Sequence, residues 1–406
     1  MKQTRVVVTG LGAVTSIGIN KDTFWRNLLK GKSGISKIST FNVSNFRTFR
    51  GGEVKKPIKG KQLGNRSSEF LLKALSEART DSGLSKAKYK KSEIGLTVGS
   101  FQMDHLKIEN MHGWKRNSIY KKSRTKKDTV DAFFPLNKSI FQNCFSSALN
   151  FLSITGPAMN VTTVCSAGNY AICFGYDMII KNRAKAVYCA GADTISRFLH
   201  AGFNRLLISS PDKCSPFDKN RKGMLVGEGA GVLVLETLEN ALKRKAPIYA
   251  EILGYGLSCD AFSMTMPSFK GMHMVIKNAL KSANIKKEQV DYINAHGTGT
   301  LNNDNIEAQA INKVFGKHAK TIDVTSIKSM LGHPMSASSA IEAVSCCLSM
   351  RNNIIPPTIN YKTKDPQCDI QVVANKAKKR KLNIILNNSF AFGGNNASVV
   401  FSKYKK

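Results

Sequence analysis

The sequence is poor in acidic residues and has no long apolar run. It carries 27 Asp and Glu against 61 Lys and Arg, a net charge of +34, so its surface must attract polyanions or acidic proteins. No stretch reaches the roughly 18 apolar residues that a membrane-spanning helix needs. The apolar run at 6–9 ends in Gly10 and Gly12, which favours a first strand and turn over a signal peptide. We therefore expect a soluble cytoplasmic protein without a membrane span.

The nine cysteines are spaced too irregularly for a zinc or disulfide framework. The sequence has no CxxC pair, and the neighbours Cys346 and Cys347 cannot bridge easily. An odd number of thiols in a chain of 406 residues is typical of a reducing compartment. We expect no metal centre, and we expect most of the cysteines to be small buried residues.

The apolar content of 42% and the aromatic content of 8% are sufficient for a large buried core. Short β-branched runs alternate with helical segments, which predicts α/β layers. Each half of the chain opens with an apolar strand, places small residues before a helix and closes on Gly-rich strands. This pattern predicts two similar halves, residues 1–250 and 251–406.

Cys165 differs from the other cysteines in its setting. A β-branched run over 160–164 is followed by Ser166, Ala167 and Gly168 and then by an apolar-striped helix. This order places the thiol at a strand-to-helix turn, where free backbone N–H groups and the helix dipole favour a thiolate and predict a lowered pKa. A buried structural cysteine is the competing interpretation, because free cysteine is usually buried.

His296 lies in a Gly- and Thr-rich turn after a predicted strand. A histidine on such a loop is a candidate acid, base or hydrogen-bond donor. The hydroxyl groups of Thr298 and Thr300 suit the amide and hydroxyl groups of a pantetheine arm. Asp304 is the predicted N-cap of a helix over 305–315. A structural turn explains the segment about equally well.

Two further segments follow predicted strands. Lys328 and His333 lie five residues apart across a Gly-containing turn, and the next helix carries Glu342. A lysine beside a glutamate can hold a histidine in place and set the local charge, although an ordinary surface lysine is the alternative. Phe392 precedes a double-glycine turn, which can direct a backbone N–H at a reacting oxygen. The alternative here is a tight hairpin with buried aromatic residues.

Together, these segments resemble the β-ketoacyl-acyl carrier protein synthases of types one and two, the elongating condensing enzymes of the thiolase-like superfamily. The resemblance extends over essentially the whole chain, because the motifs stand in the family's order. It includes the segments 5–15, 215–221, 227–231 and 258–261 as well as those around Cys165, His296, Lys328 and Phe392. It implies a duplicated five-layer α-β-α-β-α fold and a Cys-His-His centre.

The resemblance also implies a reaction. Cys165 would accept an acyl chain from its carrier as a thioester, and malonyl-carrier would follow with its phosphopantetheine arm passing Thr298 and Thr300. His296 and His333 would donate hydrogen bonds to the malonyl thioester oxygen and stabilise the enolate that decarboxylation leaves. The enolate carbon would then attack the acyl group on Cys165. The protein would be an acyltransferase in fatty acid or type II polyketide or polyene synthesis.

The remaining roles follow from the same resemblance. Backbone N–H groups of Cys165 and Phe392 would hold the oxyanion, and Phe392 would gate the acyl pocket. Lys328, paired with Glu342, would organise His333. No cofactor of the enzyme's own is implied, since phosphopantetheine is carried by the acyl carrier protein. That carrier is acidic and would suit the basic surface. The family is usually dimeric, so we expect a homodimer, with a heterodimer containing a chain-length partner as the alternative.

Several residues depart from the family pattern. Pro334 stands where a small hydroxyl residue is usual, and it restricts His333. Phe101 lies in a segment that lacks the usual glycines and would narrow the acyl channel. The basic segments 112–128 and 376–381 are predicted to face water or to form part of a docking surface for an acidic partner. Smaller departures are Lys222, Asn303, Ser336 and Ala391.

Two other functions compete with a ketosynthase. A non-catalytic chain-length-determining subunit of the same fold usually lacks the nucleophile, whereas Cys165, His296 and His333 are all present. A nucleic-acid-binding protein is suggested by the charge alone. Its lysines are spread along the chain, and no binding motif accompanies them. The sequence leaves the length of the acyl chain and the pathway open.

Overall fold

The computed structural model describes residues 4–56, 58, 66–100 and 144–405. Phe101 and the basic segment 112–128 lie outside the described residues. The α-helices are α1 (Lys21–Leu29), α2 (Arg66–Ser82), α3 (Cys144–Leu152), α4 (Ala167–Ile180), α5 (Arg197–Arg205), α6 (Leu238–Lys243), α7 (Phe269–Ser282), α8 (Leu301–Phe315), α9 (Lys328–Leu331) and α10 (Ser338–Asn352).

The strands are β1 (Val6–Thr15), β2 (Ser36–Lys37), β3 (Arg50–Gly51), β4 (Ile94–Ser100), β5 (Ala158–Val161), β6 (Ala186–Asp193), β7 (Gly229–Thr237), β8 (Ala250–Cys259), β9 (Tyr292–Asn294), β10 (Asp323–Thr325), β11 (Ile354–Ile355), β12 (Gln371–Val372), β13 (Lys378–Lys379), β14 (Ile384–Phe390) and β15 (Asn395–Ser402). Short 3₁₀ turns span Leu84–Lys86, Lys91–Glu93, Val164–Ser166, Lys287–Gln289, Gly316–Lys320, Met335–Ala337 and Pro366–Cys368.

One mixed sheet of eleven described strands runs through the molecule in the order β12-β10-β9-β14-β15-β8-β1-β7-β6-β4-β5. It contains one five-strand arrangement twice, as β5-β4-β6-β7-β1 and as β10-β9-β14-β15-β8. In each set the second strand along the chain is parallel to the third and the fourth, and the fifth is antiparallel to the fourth and the first. The two sets meet where β1 pairs antiparallel with β8. The predicted mixed α/β class is confirmed, while the boundary at 250/251 stays a prediction.

Helices α4 and α10 follow the third strand of each set and pack against each other. Thirteen of the fifteen residues of α10 are buried, as expected of a helix that is covered on all sides. Small residues allow the close approach, since a Cβ on Gly168 would lie 2.6 Å from the backbone nitrogen of Ala340. The N-termini of both helices are thereby held deep inside the protein.

The basic cluster at 376–381 is partly neutralised within the fold. Lys378 and Arg380 form ion pairs with Asp323 at 2.8 and 2.7 Å, and β13 pairs with β11. No helix in the described ranges is both long and apolar enough to cross a lipid bilayer.

Candidate active site

One cavity brings the predicted residues of both halves together. Its volume is about 420 Å³. Its lining includes Cys165, His296, Thr298, Thr300, His333 and Phe392. Lys328 and Glu342 are both buried, with exposed fractions of 1%. Lys328 donates to the backbone oxygen of His296 in the cavity wall, and Glu342 forms an ion pair with Lys328. The structure therefore assembles all eight side chains that the sequence singled out.

Cys165 lies in the 3₁₀ turn Val164–Ser166, directly before α4. Val164 has a φ of +50°, a left-handed conformation that costs a β-branched residue about 1–2 kcal/mol. The carbonyl oxygen of Cys165 accepts hydrogen bonds from Ser389 Oγ at 2.9 Å and Ser339 Oγ at 3.4 Å. These bonds to β14 and α10 hold the sharp turn that directs the thiol towards the cavity. Neither serine was predicted, because their contact with Cys165 depends on how the two halves pack.

The thiol is the resting form of Cys165. Burial raises its pKa to about 12, while the positive charge of Lys328 and the backbone N–H groups of Phe392 and of Cys165 itself act in the opposite direction. The prediction of a lowered pKa was wrong, because the loss of solvent outweighs the N–H groups at the turn. Those same two N–H groups point at the sulfur.

Lys328 fixes the orientation of His296. Its ammonium group forms an ion pair with Glu342, donates to the backbone oxygen of His296 at 2.7 Å, and lies 3.4 Å from His296 Nδ1. Because an ammonium group only donates, Nδ1 must accept, and the single proton of the neutral ring lies on Nε2. Burial, Lys328 and His333 hold the pKa of His296 well below its usual value, so the ring is a neutral hydrogen-bond donor.

His333 is held by its backbone rather than by Lys328. Its N–H donates to the oxygen of Leu225 at 2.6 Å, and its oxygen accepts from the N–H of Gly227 at 2.8 Å. Neither ring nitrogen has a hydrogen-bond partner among the described residues. The resemblance implied that Lys328 organises His333, whereas the structure places Lys328 in contact with His296 and leaves the His333 ring without a hydrogen-bond partner among the described residues. Lys328 acts on His333 through its charge, which together with burial lowers the pKa of this ring.

The two imidazole rings lie side by side at the cavity. Their centroids are 5.3 Å apart and their planes meet at 80°. Pro334 follows the paired backbone of His333, and its oxygen accepts from the N–H of Ala337 at 2.9 Å, so it begins the turn before α10. Because the pKa of each ring is lowered, both rings are neutral, and their separation lets both contact one substrate oxygen.

Two buried carboxylates that were not recognised as functional hold the His296 loop. Glu307 accepts from the N–H groups of His296 and Gly297, each at 2.8 Å. Asp304 accepts from Phe217 N–H at 2.8 Å and from Gly299 N–H at 3.2 Å. Their spacing of three residues puts both on one helix face, which is a signal that the sequence did contain.

The predicted N-cap role of Asp304 was wrong. Helix α8 begins at Leu301 with Thr300 as its N-cap, so Asp304 lies inside the first turn and reaches back to the preceding loop. Arg221 supports the same loop by donating to the backbone oxygens of Thr300 and Leu301, each at 3.2 Å. The Thr298 and Thr300 hydroxyl groups lie 2.9 Å apart on this supported loop.

We expect Lys328→Met to lower the free energy of unfolding by about 3–5 kcal/mol, because it leaves the Glu342 carboxylate buried without its cation. The double variant Lys328→Met/Glu342→Leu removes both charges and should recover most of that loss. Denaturant titration of the wild type and both variants measures the effect. A double variant as unstable as the single one would contradict a stabilising role for the ion pair.

Stability is also expected to depend on pH through Glu307. Burial raises its pKa to about 7, against the opposing hydrogen bonds from Gly297 and His296, from an ordinary value of 4.5. Between these values the folded state binds more protons than the unfolded state, so the free energy of unfolding falls as the pH rises from about 5 to about 8. Glu307→Gln should show a shallower decrease. Thermal unfolding across this range tests the difference, and equal slopes would contradict it.

The repeated topology and the cavity together define a class of protein, the thiolase-like enzymes that transfer acyl groups. The family models described as beta-ketoacyl synthase N-terminal domain and beta-ketoacyl synthase C-terminal domain match residues 3–241 and 249–362. The chain belongs to the beta-ketoacyl synthase family.

Individual relatives agree with this assignment. The 3-oxoacyl-acyl-carrier-protein synthase 2 of Coxiella burnetii is 36% identical over 419 residues, covering 99% of each chain. Nodulation protein E of Rhizobium leguminosarum bv. trifolii is 35% identical over 405 residues, covering 98% of each. The solved ishigamide ketosynthase/chain length factor has a TM-score of 0.90 at 35% identity, over 99% of this chain and 100% of that one. The predicted family, thiolase-like fold and 3-oxoacyl synthase class are confirmed.

Proposed function

We propose that the protein condenses a malonyl group held on an acyl carrier protein with an acyl chain held on Cys165, and releases carbon dioxide. One observation carries this proposal, namely that a single cavity contains the thiol of Cys165 and two neutral histidine rings. His296 has its proton on Nε2, and both ring nitrogens of His333 lack a protein partner within the described segments. The site therefore offers a nucleophile and two donors to one substrate.

In the first step the acyl group moves from the carrier's pantetheine sulfur to Cys165 Sγ. A new C–S bond forms at Cys165, the old C–S bond breaks, and the thiol proton of Cys165 passes to the departing pantetheine sulfur. The tetrahedral intermediate places negative charge on the former carbonyl oxygen. The N–H groups of Cys165 and Phe392 are proposed to hold that oxyanion, because both already point at the sulfur.

In the second step the malonyl thioester oxygen accepts hydrogen bonds from His296 and His333. The bond to the carboxylate carbon breaks, carbon dioxide leaves, and the electron pair remains as an enolate. The enolate carbon attacks the acyl group, the bond from carbon to Sγ breaks, and Sγ departs as a thiolate that takes a proton from water. Removal of one such donor typically lowers the rate by roughly a hundred to a thousandfold. Neutral rings suit this role, and the charge of Lys328 favours neutrality at both.

The substrate brings its own prosthetic group. The hydroxyl groups of Thr298 and Thr300 line the cavity and would bind the pantetheine arm of the carrier, and no cofactor of the enzyme's own is part of the proposal. All nine cysteines are free, which supports a reducing cytoplasmic location.

A homodimer is part of the proposal. β5 is the last described strand at its end of the sheet, and Met159 on it has an exposed fraction of 40%. An open edge strand with exposed apolar residues is a template for pairing with another chain, and Cys165 follows only four residues after β5. A heterodimer with a chain-length subunit is the alternative, and size measurement of the purified protein alone and with such a subunit distinguishes the two.

The proposal is tested by incubating the purified protein with malonyl-carrier and with acyl-carriers of several lengths. Mass spectrometry should show an acyl group on the peptide that contains Cys165 and products extended by one malonyl-derived unit. Cys259→Ser is the matched control, because Cys259 is exposed and should leave acylation unchanged. Absence of acylation at Cys165 with every carrier would overturn the proposal. Product lengths separate fatty acid from polyketide or polyene synthesis.

A further inference from the structure

Asp193 is a buried carboxylate that the proposed mechanism does not use. It is the last residue of β6, opposite Gly229 on β7, and its exposed fraction is 6%. The neighbouring carboxylate of Glu228 is paired with Arg66, whereas Asp193 forms no ion pair with a Lys, Arg or His of the described ranges. A buried charge is costly unless hydrogen bonds satisfy it, so the contacts of Asp193 show what this carboxylate does.

The carboxylate of Asp193 reaches from the first half of the chain to the second. Its Oδ1 accepts from the N–H of Thr194 at 2.9 Å, and its Oδ2 accepts from the N–H of Ser336 at 3.1 Å. Ser336 lies in the 3₁₀ turn Met335–Ala337, three residues after His333 and directly before α10. Asp193 therefore connects β6, in the half that carries the nucleophile, to the turn that follows His333.

The turn after His333 has a conformation that its own residues do not favour. Met335 has a φ of +42°, in the left-handed region that residues other than glycine rarely occupy. Ala337 is the N-cap of α10 and has no side chain that accepts a hydrogen bond from the first N–H groups of the helix. A carboxylate near a helix N-terminus is also favoured by the helix dipole. Asp193 supplies, from another segment, an acceptor that this turn lacks.

The ring of His333 depends on its backbone for its position, because neither ring nitrogen has a hydrogen-bond partner among the described residues. On one side of the ring, the backbone of His333 itself is paired. On the other side, Met335 packs in an apolar cluster, but apolar contact is not directional. The bond from Ser336 N–H to Asp193 is directional, so it can fix the rotation of the turn as well as its depth.

The charge of Asp193 acts on the nucleophile as well. Burial and, to a smaller extent, the negative charge of Asp193 raise the pKa of the Cys165 thiol. Burial also raises the pKa of Asp193 itself to about 7, against its two backbone hydrogen bonds, so this carboxylate is ionised above that pH. Loss of the charge should therefore make the thiol more reactive, although loss of the hydrogen bonds should make His333 less effective.

We propose that Asp193 is a positioning residue, which fixes the turn after His333 through the Ser336 N–H and thereby holds the His333 ring for the malonyl thioester oxygen. This inference rests on the proposed function, because it assigns Asp193 a task in the decarboxylation step. The step that uses His333 depends on Asp193, whereas transfer of the acyl group to Cys165 does not.

Two substitutions of Asp193 separate this role from a general contribution to folding. Asp193→Ala removes both acceptor oxygens, so kcat for decarboxylation of malonyl-carrier should fall about tenfold to a hundredfold, with KM within about twofold of the wild type. Asp193→Asn keeps one acceptor oxygen and the shape of the side chain, so it should fold and lose about three- to tenfold.

Asp323→Asn is the matched control. Asp323 is also a buried carboxylate, with an exposed fraction of 0%, but its ion pairs with Lys378 and Arg380 lie outside the cavity lining. Its substitution should lower the melting temperature and leave the kcat for decarboxylation within about twofold of the wild type.

Alkylation of Cys165 by iodoacetamide is a measurement that a merely structural role would not change in this direction. At about pH 8.5 the wild-type Asp193 is ionised, so Asp193→Asn should speed alkylation of the Cys165 peptide about two- to threefold. An acyl-N-acetylcysteamine thioester should acylate Cys165 at least as fast in this variant as in the wild type. Decarboxylation at the wild-type rate in the folded variants, or alkylation and decarboxylation that fall together in Asp193→Asn, would overturn the positioning role. Failure of the small thioester to acylate Cys165 in the wild type would instead overturn the proposed function.

Discussion

Cys165→Ala is expected to lose acyl transfer and condensation by at least about a thousandfold, because no other group can form the acyl thioester at this position. The variant keeps His296 and His333 in place, so slow decarboxylation of malonyl-carrier should remain. Mass spectrometry of the acylated peptide and release of labelled carbon dioxide measure the two activities separately. Condensation at the wild-type rate in Cys165→Ala would exclude the proposed thioester.

The control for this experiment is another buried cysteine in the same protein. Cys214 also lies beside the His296 loop, with its sulfur 3.2 Å from the oxygen of Thr298, and burial raises its pKa to about 12 as well. Cys214→Ser should retain acylation at Cys165, although its stability can change. Loss of acylation in both variants would point to damage of the site rather than to loss of the nucleophile.

The double variant His296→Ala/His333→Ala is expected to lower malonyl decarboxylation by at least about a thousandfold. In the proposed mechanism each ring supplies one donor to the enolate oxygen, and loss of a single such donor typically costs roughly a hundred to a thousandfold. Acylation of Cys165 should persist, since backbone N–H groups rather than the rings are proposed to hold its oxyanion. The assay is carbon dioxide release from malonyl-carrier without an acyl primer.

The two variants together form a reciprocal test. Cys165→Ala should lose acylation and keep decarboxylation, whereas the histidine double variant should lose decarboxylation and keep acylation. Unchanged decarboxylation in the double variant would remove His296 and His333 from the proposed mechanism. Phe392 offers a further control, because its N–H belongs to the backbone and survives substitution of its side chain.

Much of the fold class was predictable from local pattern. The alternation of β-branched runs with helical segments is visible in the spacing of apolar residues. That spacing depends only on residues that are neighbours in the chain. The strand-to-helix turn at Cys165 was predictable for the same reason, because small residues directly follow an apolar run. The predicted start of α8 was wrong by four residues. Aspartate is a common N-cap residue, but Asp304 lies inside the helix and accepts a hydrogen bond from Phe217 N–H.

The electrostatics of the site were not predictable from the chain alone. The pKa of a thiol depends on how much water reaches it, and Cys165 is buried by segments from both halves. The partner of Lys328 likewise depends on which loop lies beside its ammonium group. The sequence spacing suggested His333, five residues away, whereas the structure places His296, 32 residues away, in contact. Sequence separation carries little information about such contacts.

The sequence by itself determined the residue types, their order and hence the available chemistry, because Cys165, His296, His333 and Lys328 are identified by sequence alone. The tertiary structure alone decided that these groups share one cavity and that His296 carries its proton on Nε2. It also decided that the thiol is protonated at rest. These properties depend on burial and on distances between segments far apart in the chain, and both arise only when the two halves pack together.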